Sequence, residues 1–287
     1  MCRFVVYQGP PITLSSLITE PSNSLIHQSV HSRERVEPLN GDGFGVAWYC
    51  PDLNDTPAVF RSISPAWSNR NLLELAGVTR SGSVFAHVRA ATPGMPVVET
   101  NCHPFSRGRF VFMHNGRIAR FRSLRRRLLK QLSDESFEAI EGSTDSEHIF
   151  ALFMDRLRDA DDDGSAAALE NAMQDTIRDV VALARDAGAT ELTNLNLAVS
   201  DGHRAVVSRF TTGPPDGAES LYFQSGTRYA CEDGACLVVS ESNEGGAVLI
   251  SSERLSDDSG WQRVPGNHMV VVDTDRNVRV VACVPSE

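Results

Sequence analysis

No stretch of this 287-residue chain reaches the run of about 18 consecutive apolar residues that a membrane-spanning helix needs. The opening MCRFVVYQGPP lacks a basic segment followed by a long apolar one, so no secretory leader is expected and the chain reads as cytoplasmic. No C-x-x-C pair occurs, which removes the usual zinc-ribbon and thioredoxin spacings. The six cysteines, at positions 2, 50, 102, 231, 236 and 283, are too sparse for a disulfide scaffold, and most are expected to be reduced. Positive charge is also short: 27 Lys and Arg face 37 Asp and Glu, a net charge of −10. An acidic chain repels phosphate backbones and anionic lipid, so no nucleic-acid or membrane partner is expected and a small molecule suits better.

What is present is the composition of an ordinary globular protein, 41% hydrophobic and 22% charged. Short apolar or alternating runs suited to strands recur at residues 3–7, 44–49, 84–90, 109–114, 195–199, 205–210, 236–240, 247–251, 269–272 and 278–283, and residues 220–225 also read as a strand. The middle differs: residues 123–131, 144–160 and 166–187 read as helices, the last with Leu169, Met173, Ile177, Val180 and Ala184 at helical spacing. Strand groups flanking a helical middle predict an α+β fold with mainly antiparallel sheets covered by helices. Residues 51–57, 159–165 and 211–218 read as surface loops, so one domain over 1–287 is expected. Residues 117–130 carry seven basic side chains and no acid, whereas 133–163 carry eleven acids and two arginines. That contrast reads as a helix pair with complementary faces, or as a docking face for a partner protein.

Several residues suit chemistry. Cys2 follows the initiator methionine, and removal of Met1 would leave a thiol and a free α-amine on one residue, a nucleophile with its own base. The run Asn40-Gly41-Asp42-Gly43-Phe44-Gly45 permits a tight turn before a strand but lacks the third glycine and the following helix of a dinucleotide fingerprint. Arg89 ends an apolar strand, with Thr92 three residues on, and suits a carboxylate as well as an internal salt bridge. Asn115-Gly116 offers a side-chain donor and an uncovered backbone N–H for an oxyanion, or is simply a turn. Thr144 and Glu147 form the pattern of a capping box, and Asp145 in the same first turn suits an ammonium group. Cys102, His103, His114 and Asp145 are metal-ligating types whose spacing matches no common metal pattern, so neither metal nor cofactor is expected.

Taken in order, MCR, NGDGFGVAWY, AHVRAAT, NCHPF, MHNG and STDSE resemble the motifs of the class II glutamine amidotransferases, N-terminal nucleophile hydrolases. The resemblance covers residues 1 to about 155. It implies a four-layer αββα sandwich, with Cys2 as nucleophile, Asn115 and Gly116 as oxyanion hole, Arg89 and Thr92 as the carboxylate clamp and Asp145 as the ammonium acceptor; His103 falls in the family's N-x-H-P motif. The NGDGFG turn would pack against the N-terminus and leaving group. Pro93 stands where synthase-linked members carry histidine, which implies a differently enclosed amide end. No sequence remains for a fused synthase domain, so the implied reaction is hydrolysis of a γ-glutamyl amide. The stretches SRERVEPLNGDGFGVAWY, SPAWSN and GSTDSEHIFALF are similar to the stand-alone branch that degrades glutathione with a metallopeptidase-like partner, and next to it stand the γ-glutamyl hydrolases of ergothioneine biosynthesis. A non-catalytic regulatory module, a metal hydrolase built on His103, His114 and Asp145, and a homo-oligomer are the remaining alternatives.

Overall fold

The computed structural model describes residues 2–34, 39–92, 94–160, 162–232, 235–239 and 246–283. Met1 and Pro93, on which two expectations above rest, lie outside the described residues. The chain lays down β1 (Arg3–Thr13), then two short helices α1 (Ser15–Ile18) and α2 (Leu25–Val30), and the hairpin β2 (Phe44–Cys50) and β3 (Asn54–Ser62). Helix α3 (Arg70–Val78) leads to β4 (Arg80–Val88), and β5 (Phe105–Arg107) pairs with β6 (Phe110–Arg117). Four helices follow: α4 (Phe121–Leu129), α5 (Asp134–Glu138), α6 (Asp145–Asp159) and α7 (Ala166–Asp186). The remainder is strand: β7 (Asn194–Ser200), β8 (Ala205–Arg209), β9 (Tyr222–Gly226), β10 (Arg228–Glu232), β11 (Ala235–Val239), β12 (Ala247–Ser251), β13 (Gln262–Arg263), β14 (His268–Val272) and β15 (Val278–Ala282).

Two large antiparallel sheets result, one of seven strands in the order β13-β9-β12-β1-β4-β2-β3 and one of six in the order β15-β14-β8-β7-β6-β5. Strand alternation sorts the side chains into layers. On β1, Phe4 and Val6 join Val111, Met113, Val207 and Val270 of the opposite sheet in the core between the sheets. Val5 and Tyr7 point the other way, into a second core with Leu17, Leu25 and Leu72 from α1, α2 and α3. Phe112 and Leu197 of the six-stranded sheet likewise face outward onto Ile149, Phe153, Leu169 and Met173 of α6 and α7. The architecture is therefore the αββα sandwich that the motifs imply. Phe4 and Val6 are at most 1% exposed, so each contributes about 1.5–3 kcal/mol of burial to anchoring the first strand.

Three local readings change. Residues 51–57 are a surface loop only in part: 51–53 turn the chain between β2 and β3, and β3 from Asn54 is the sheet's edge strand, which tolerates Pro57. Among the described residues the basic side chains of 117–130 make no ion pair with the acids of 133–163; Arg107, Arg109, Arg156, Arg158 and Arg204 pair with them instead. Cys231 and Cys236, left without a role by sequence, face one another across the β10–β11 hairpin and form a disulfide, while Cys2, Cys50, Cys102 and Cys283 are free.

Candidate active site

Strand β1 is hydrogen-bonded on both sides, by β4 and β12, and Cys2 stands immediately before it. The half-buried Cys2 thiol receives the Ala90 N–H at 3.4 Å and points at the Ala90 carbonyl 3.6 Å away. Burial pushes the thiol pKa up, against the opposing pull of the Ala90 N–H and of the Arg89 and Arg3 charges. Arg3 secures the backbone, donating from Nη1 to the Cys2 carbonyl at 2.9 Å and from Nε to Glu253 at 2.6 Å. Ser32 and the Arg33 N–H also bond to the Glu253 carboxylate.

Arg89 emerges from the end of β4 and is 3% exposed. Its guanidinium donates only to the carbonyls of Asp42 and Pro96, both at 3.3 Å, and makes no ion pair among the described residues. A buried cation without a counter-charge is costly and invites an anionic ligand, which answers the salt-bridge alternative for this residue. The Asn40–Gly45 turn frames it: Gly43 accepts from the Arg89 N–H, and the Asp42 carboxylate accepts from Ala91 N–H at 2.8 Å. Gly43 has φ +110°, and a Cβ there would stand 2.6 Å from the Cys102 sulfur, so only glycine fits. Asn101 braces the far side, donating to the Pro96 carbonyl at 3.1 Å and accepting the Ser143 N–H at 2.9 Å.

From the six-stranded sheet, β6 delivers Asn115 and Gly116 opposite Asn196 and Leu195 of β7. Asn115 is 1% exposed and its Oδ1 has no hydrogen-bond partner among the described residues. Gly116 has φ +154°, and a Cβ there would run into the Asn194 carbonyl. Asp145 opens α6. Its carboxylate accepts the N–H groups of Ile118 and Ser146, both at 2.9 Å, and so ties the helix start to the end of β6. The capping box is only half formed: Thr144 Oγ1 accepts the Glu147 N–H at 3.2 Å, but the Glu147 carboxylate turns to the N–H groups of Glu141 and Gly142.

Beneath these groups His87, His103 and His114 are packed together. The His87 and His103 rings lie 4.2 Å apart, and His103 meets Phe105 edge-on. Among the described residues both His103 ring nitrogens lack partners, whereas His114 bonds Ser146 Oγ through Nδ1 and the Asn194 carbonyl through Nε2. Burial, and then the neighbouring positive charges, lowers His87 to about 3 and His103 well below the usual imidazole range. Burial also lowers His114, against the opposing pull of Asp145. Among the described residues no three His, Cys, Asp or Glu side chains are grouped to hold an ion, so the metal set of His103, His114 and Asp145 with Cys102 does not assemble.

Cys2, Arg89, Thr92, His103, Gly116 and Asp145 instead line one cavity of about 320 Å³, whereas Asn115, the residue before Gly116, is buried and does not line it. Sequence reading missed the supporting residues Glu253, Asn101, His87 and Ser146. His87 and Asn101 lay inside quoted motifs, but nothing in their spacing marked them, and Glu253 carries no local signal at all.

The family model for class II glutamine amidotransferases matches residues 15–215, and the chain belongs to that family. A probable glutamine amidotransferase of Saccharomyces cerevisiae, DUG3, is 43% identical over 95% of this chain and 82% of its own length. The γ-glutamyl-hercynylcysteine sulfoxide hydrolase of Mycolicibacterium smegmatis is 28% identical over 95% of this chain and 96% of its own. Among solved structures, a glutamine aminotransferase class-II domain protein from Silicibacter pomeroyi superposes with a TM-score of 0.69 at 27% identity, covering 99% of this chain and all of that one. The glutamine phosphoribosylpyrophosphate amidotransferase of B. subtilis, at 13% identity and TM-score 0.56 over 50% of its own length, shares the fold.

Proposed function

We propose that this chain, as a single domain, hydrolyses γ-glutamyl amides through a thioester on Cys2. The observation that carries this reading is Arg89, a buried guanidinium without a counter-ion, on the same cavity wall as the Cys2 thiol. Arg89, with Thr92, would hold the α-carboxylate of the glutamyl group, and Asp145 the α-ammonium. Removal of Met1 frees an amine whose ordinary pKa, about 7.7–8.0, lets it take the thiol proton near neutrality. The Cys2 sulfur attacks the γ-carbonyl carbon, and the oxyanion is met by the Asn115 side chain and the Gly116 N–H. The C–N bond breaks as the α-ammonium returns its proton to the departing nitrogen. Water then adds to the thioester, restoring the thiol and releasing glutamate. His103 lines this wall, and because burial weakens it as a proton acceptor it serves there as packing rather than as the base.

The 43% identity to the yeast relative supports the glutathione-degrading branch over ergothioneine biosynthesis, where the relatives are 28% identical. The test is glutamate release from glutamine, glutathione and a γ-glutamyl sulfoxide conjugate, compared between the mature enzyme and Cys2→Ala. Release that depends on Cys2 and favours glutathione is expected. Undiminished turnover in Cys2→Ala overturns the mechanism, and preference for the sulfoxide selects the other branch. Loss of catalysis on all three by the wild type, with intact mass showing retained Met1, would leave the regulatory-module reading.

A further inference from the structure

His114 stands on β6 immediately before Asn115 and Gly116, and its imidazole reaches the start of α6. Its Nε2 lies 3.1 Å from the Asn194 carbonyl, which can only accept, so the ring proton sits on Nε2. Burial lowers the His114 pKa and favours the neutral imidazole, against the opposing pulls of Asp145 and of the Asn194 carbonyl. A neutral ring protonated at Nε2 carries a bare lone pair on Nδ1. The Ser146 hydroxyl, 3.0 Å from that lone pair, must therefore donate to it.

Ser146 has one hydroxyl proton and two candidate acceptors. Besides His114 Nδ1, its Oγ lies 3.3 Å from Asp145 Oδ1. The nitrogen is nearer and has no other partner among the described residues, whereas Asp145 Oδ1 already receives the Ser146 N–H and Oδ2 the Ile118 N–H, both at 2.9 Å. The proton thus goes to His114, and two oxygens 3.3 Å apart face each other with no hydrogen between them. Asp145 and Ser146 both line the cavity, and Ser146 is 5% exposed, so bulk water has little access to its oxygen. Two such acceptors form a seat for a group that donates to both, and a primary ammonium carries three donors.

We infer that Ser146 Oγ is a second acceptor for the substrate's α-ammonium beside the Asp145 carboxylate, and that His114 positions it by taking its proton. This rests on the γ-glutamyl reading above, in which Asp145 meets that ammonium, and adds a specificity residue and a positioning residue to it. Without the Nδ1 acceptor the Ser146 hydroxyl turns to Asp145 Oδ1 and occupies both oxygens at once.

The test compares glutamine with glutaramic acid, and glutathione with glutaryl-cysteinylglycine, pairs that differ only in the α-ammonium, read as release of ammonia or of cysteinylglycine. The wild type is expected to favour the ammonium-bearing member in kcat/KM by about a hundredfold or more, because its analogue leaves the carboxylate unpaired. His114→Gln, which places an amide near the Nε2 position and none at Nδ1, should cut that preference by about tenfold or more, and Ser146→Ala by about three- to tenfold. Combining the two should be no worse than Ser146→Ala alone, since the hydroxyl that had turned onto Asp145 is gone. His114→Asn, with an amide oxygen in place of Nδ1, should hold the preference within about threefold of the wild type. General damage to the fold lowers turnover of both members of a pair and leaves their ratio in place. Should His114→Gln fail to fold, Ser146→Ala and the imidazole nitrogen NMR shifts of the wild type carry the test, the latter expected to show His114 protonated at Nε2 alone at neutral pH. An unchanged preference in either single variant, additive losses in the double, or an Nδ1–H tautomer overturns the inference alone. No turnover of any of the four compounds by the wild type overturns the γ-glutamyl reading with it.

Discussion

Arg3 and Glu253 form a buried ion pair, Nε to Oε1 at 2.6 Å with side chains 2% and 1% exposed, that fastens the residue after the nucleophile to the far end of the chain. Because Arg3 also holds the Cys2 carbonyl, loss of Glu253 strands a buried cation beside the nucleophile. Glu253→Ala is expected to lower unfolding free energy by about 3–5 kcal/mol, read from denaturant midpoints at constant m-value. Burial alone raises the Glu253 pKa, but Ser32, the Arg3 charge and the Arg33 N–H hold it below the usual carboxylate range. This contribution is thus present above the unfolded pKa, about 4.3, and is lost as pH falls through the lower folded value. A stability loss under 1 kcal/mol would show that the pair is dispensable.

The histidine cluster sets a second pH dependence. His87 and His103 are buried and held neutral, so the unfolded chain binds more protons than the folded one as pH falls below about 6.5. Their stabilisation is complete above that pH and drains away toward the folded values. Between pH 7.5 and 5.5 the two together should cost about 3 kcal/mol, visible as a falling urea midpoint. A midpoint that stays flat over this range would mean that the imidazoles titrate normally.

Asn115→Ala tests the proposed oxyanion contact. Because Asn115 is buried with Oδ1 unpartnered, its loss leaves the fold standing, while kcat should fall by about 10² to 10³ with KM little changed. An unchanged kcat would assign Asn115 to packing.

Arg89→Lys keeps the charge and removes the planar fork. KM for a γ-glutamyl substrate is expected to rise about 10- to 100-fold, with a smaller fall in kcat. A fall in kcat at unchanged KM would move Arg89 from ground-state binding to the transition state.

Much of this was legible in the sequence because the signals are local. The alternation at Arg3–Tyr7 and the spacing of Leu169, Met173, Ile177, Val180 and Ala184 report the faces that the cores bury. The β3 edge strand was hidden by Pro57 and by its half-exposed side chains, and α1 and α2, at four and six residues, are shorter than the windows in which periodicity shows. Motif order pointed to Cys2, Arg89, Gly116 and Asp145, but the brace on each comes from elsewhere: Glu253 for Arg3, Asn101 for the loop at Pro96, the Ile118 N–H for Asp145. The charge contrast of 117–163 was visible, whereas its pairing depended on which helix faces meet. The disulfide was invisible because register across the hairpin, not spacing, brings Cys231 to Cys236.

The pairing of β1 with β12 sets Val5 against Ser251 and Gln8 against Val248. Strand β1 therefore gains one of its two neighbours only once Ala247–Ser251 has been made. Such distant closure is slow and late. A polypeptide cut before β12 would hold Cys2 on a sheet missing one neighbour of β1, so the placement of the thiol depends on a segment distant in sequence.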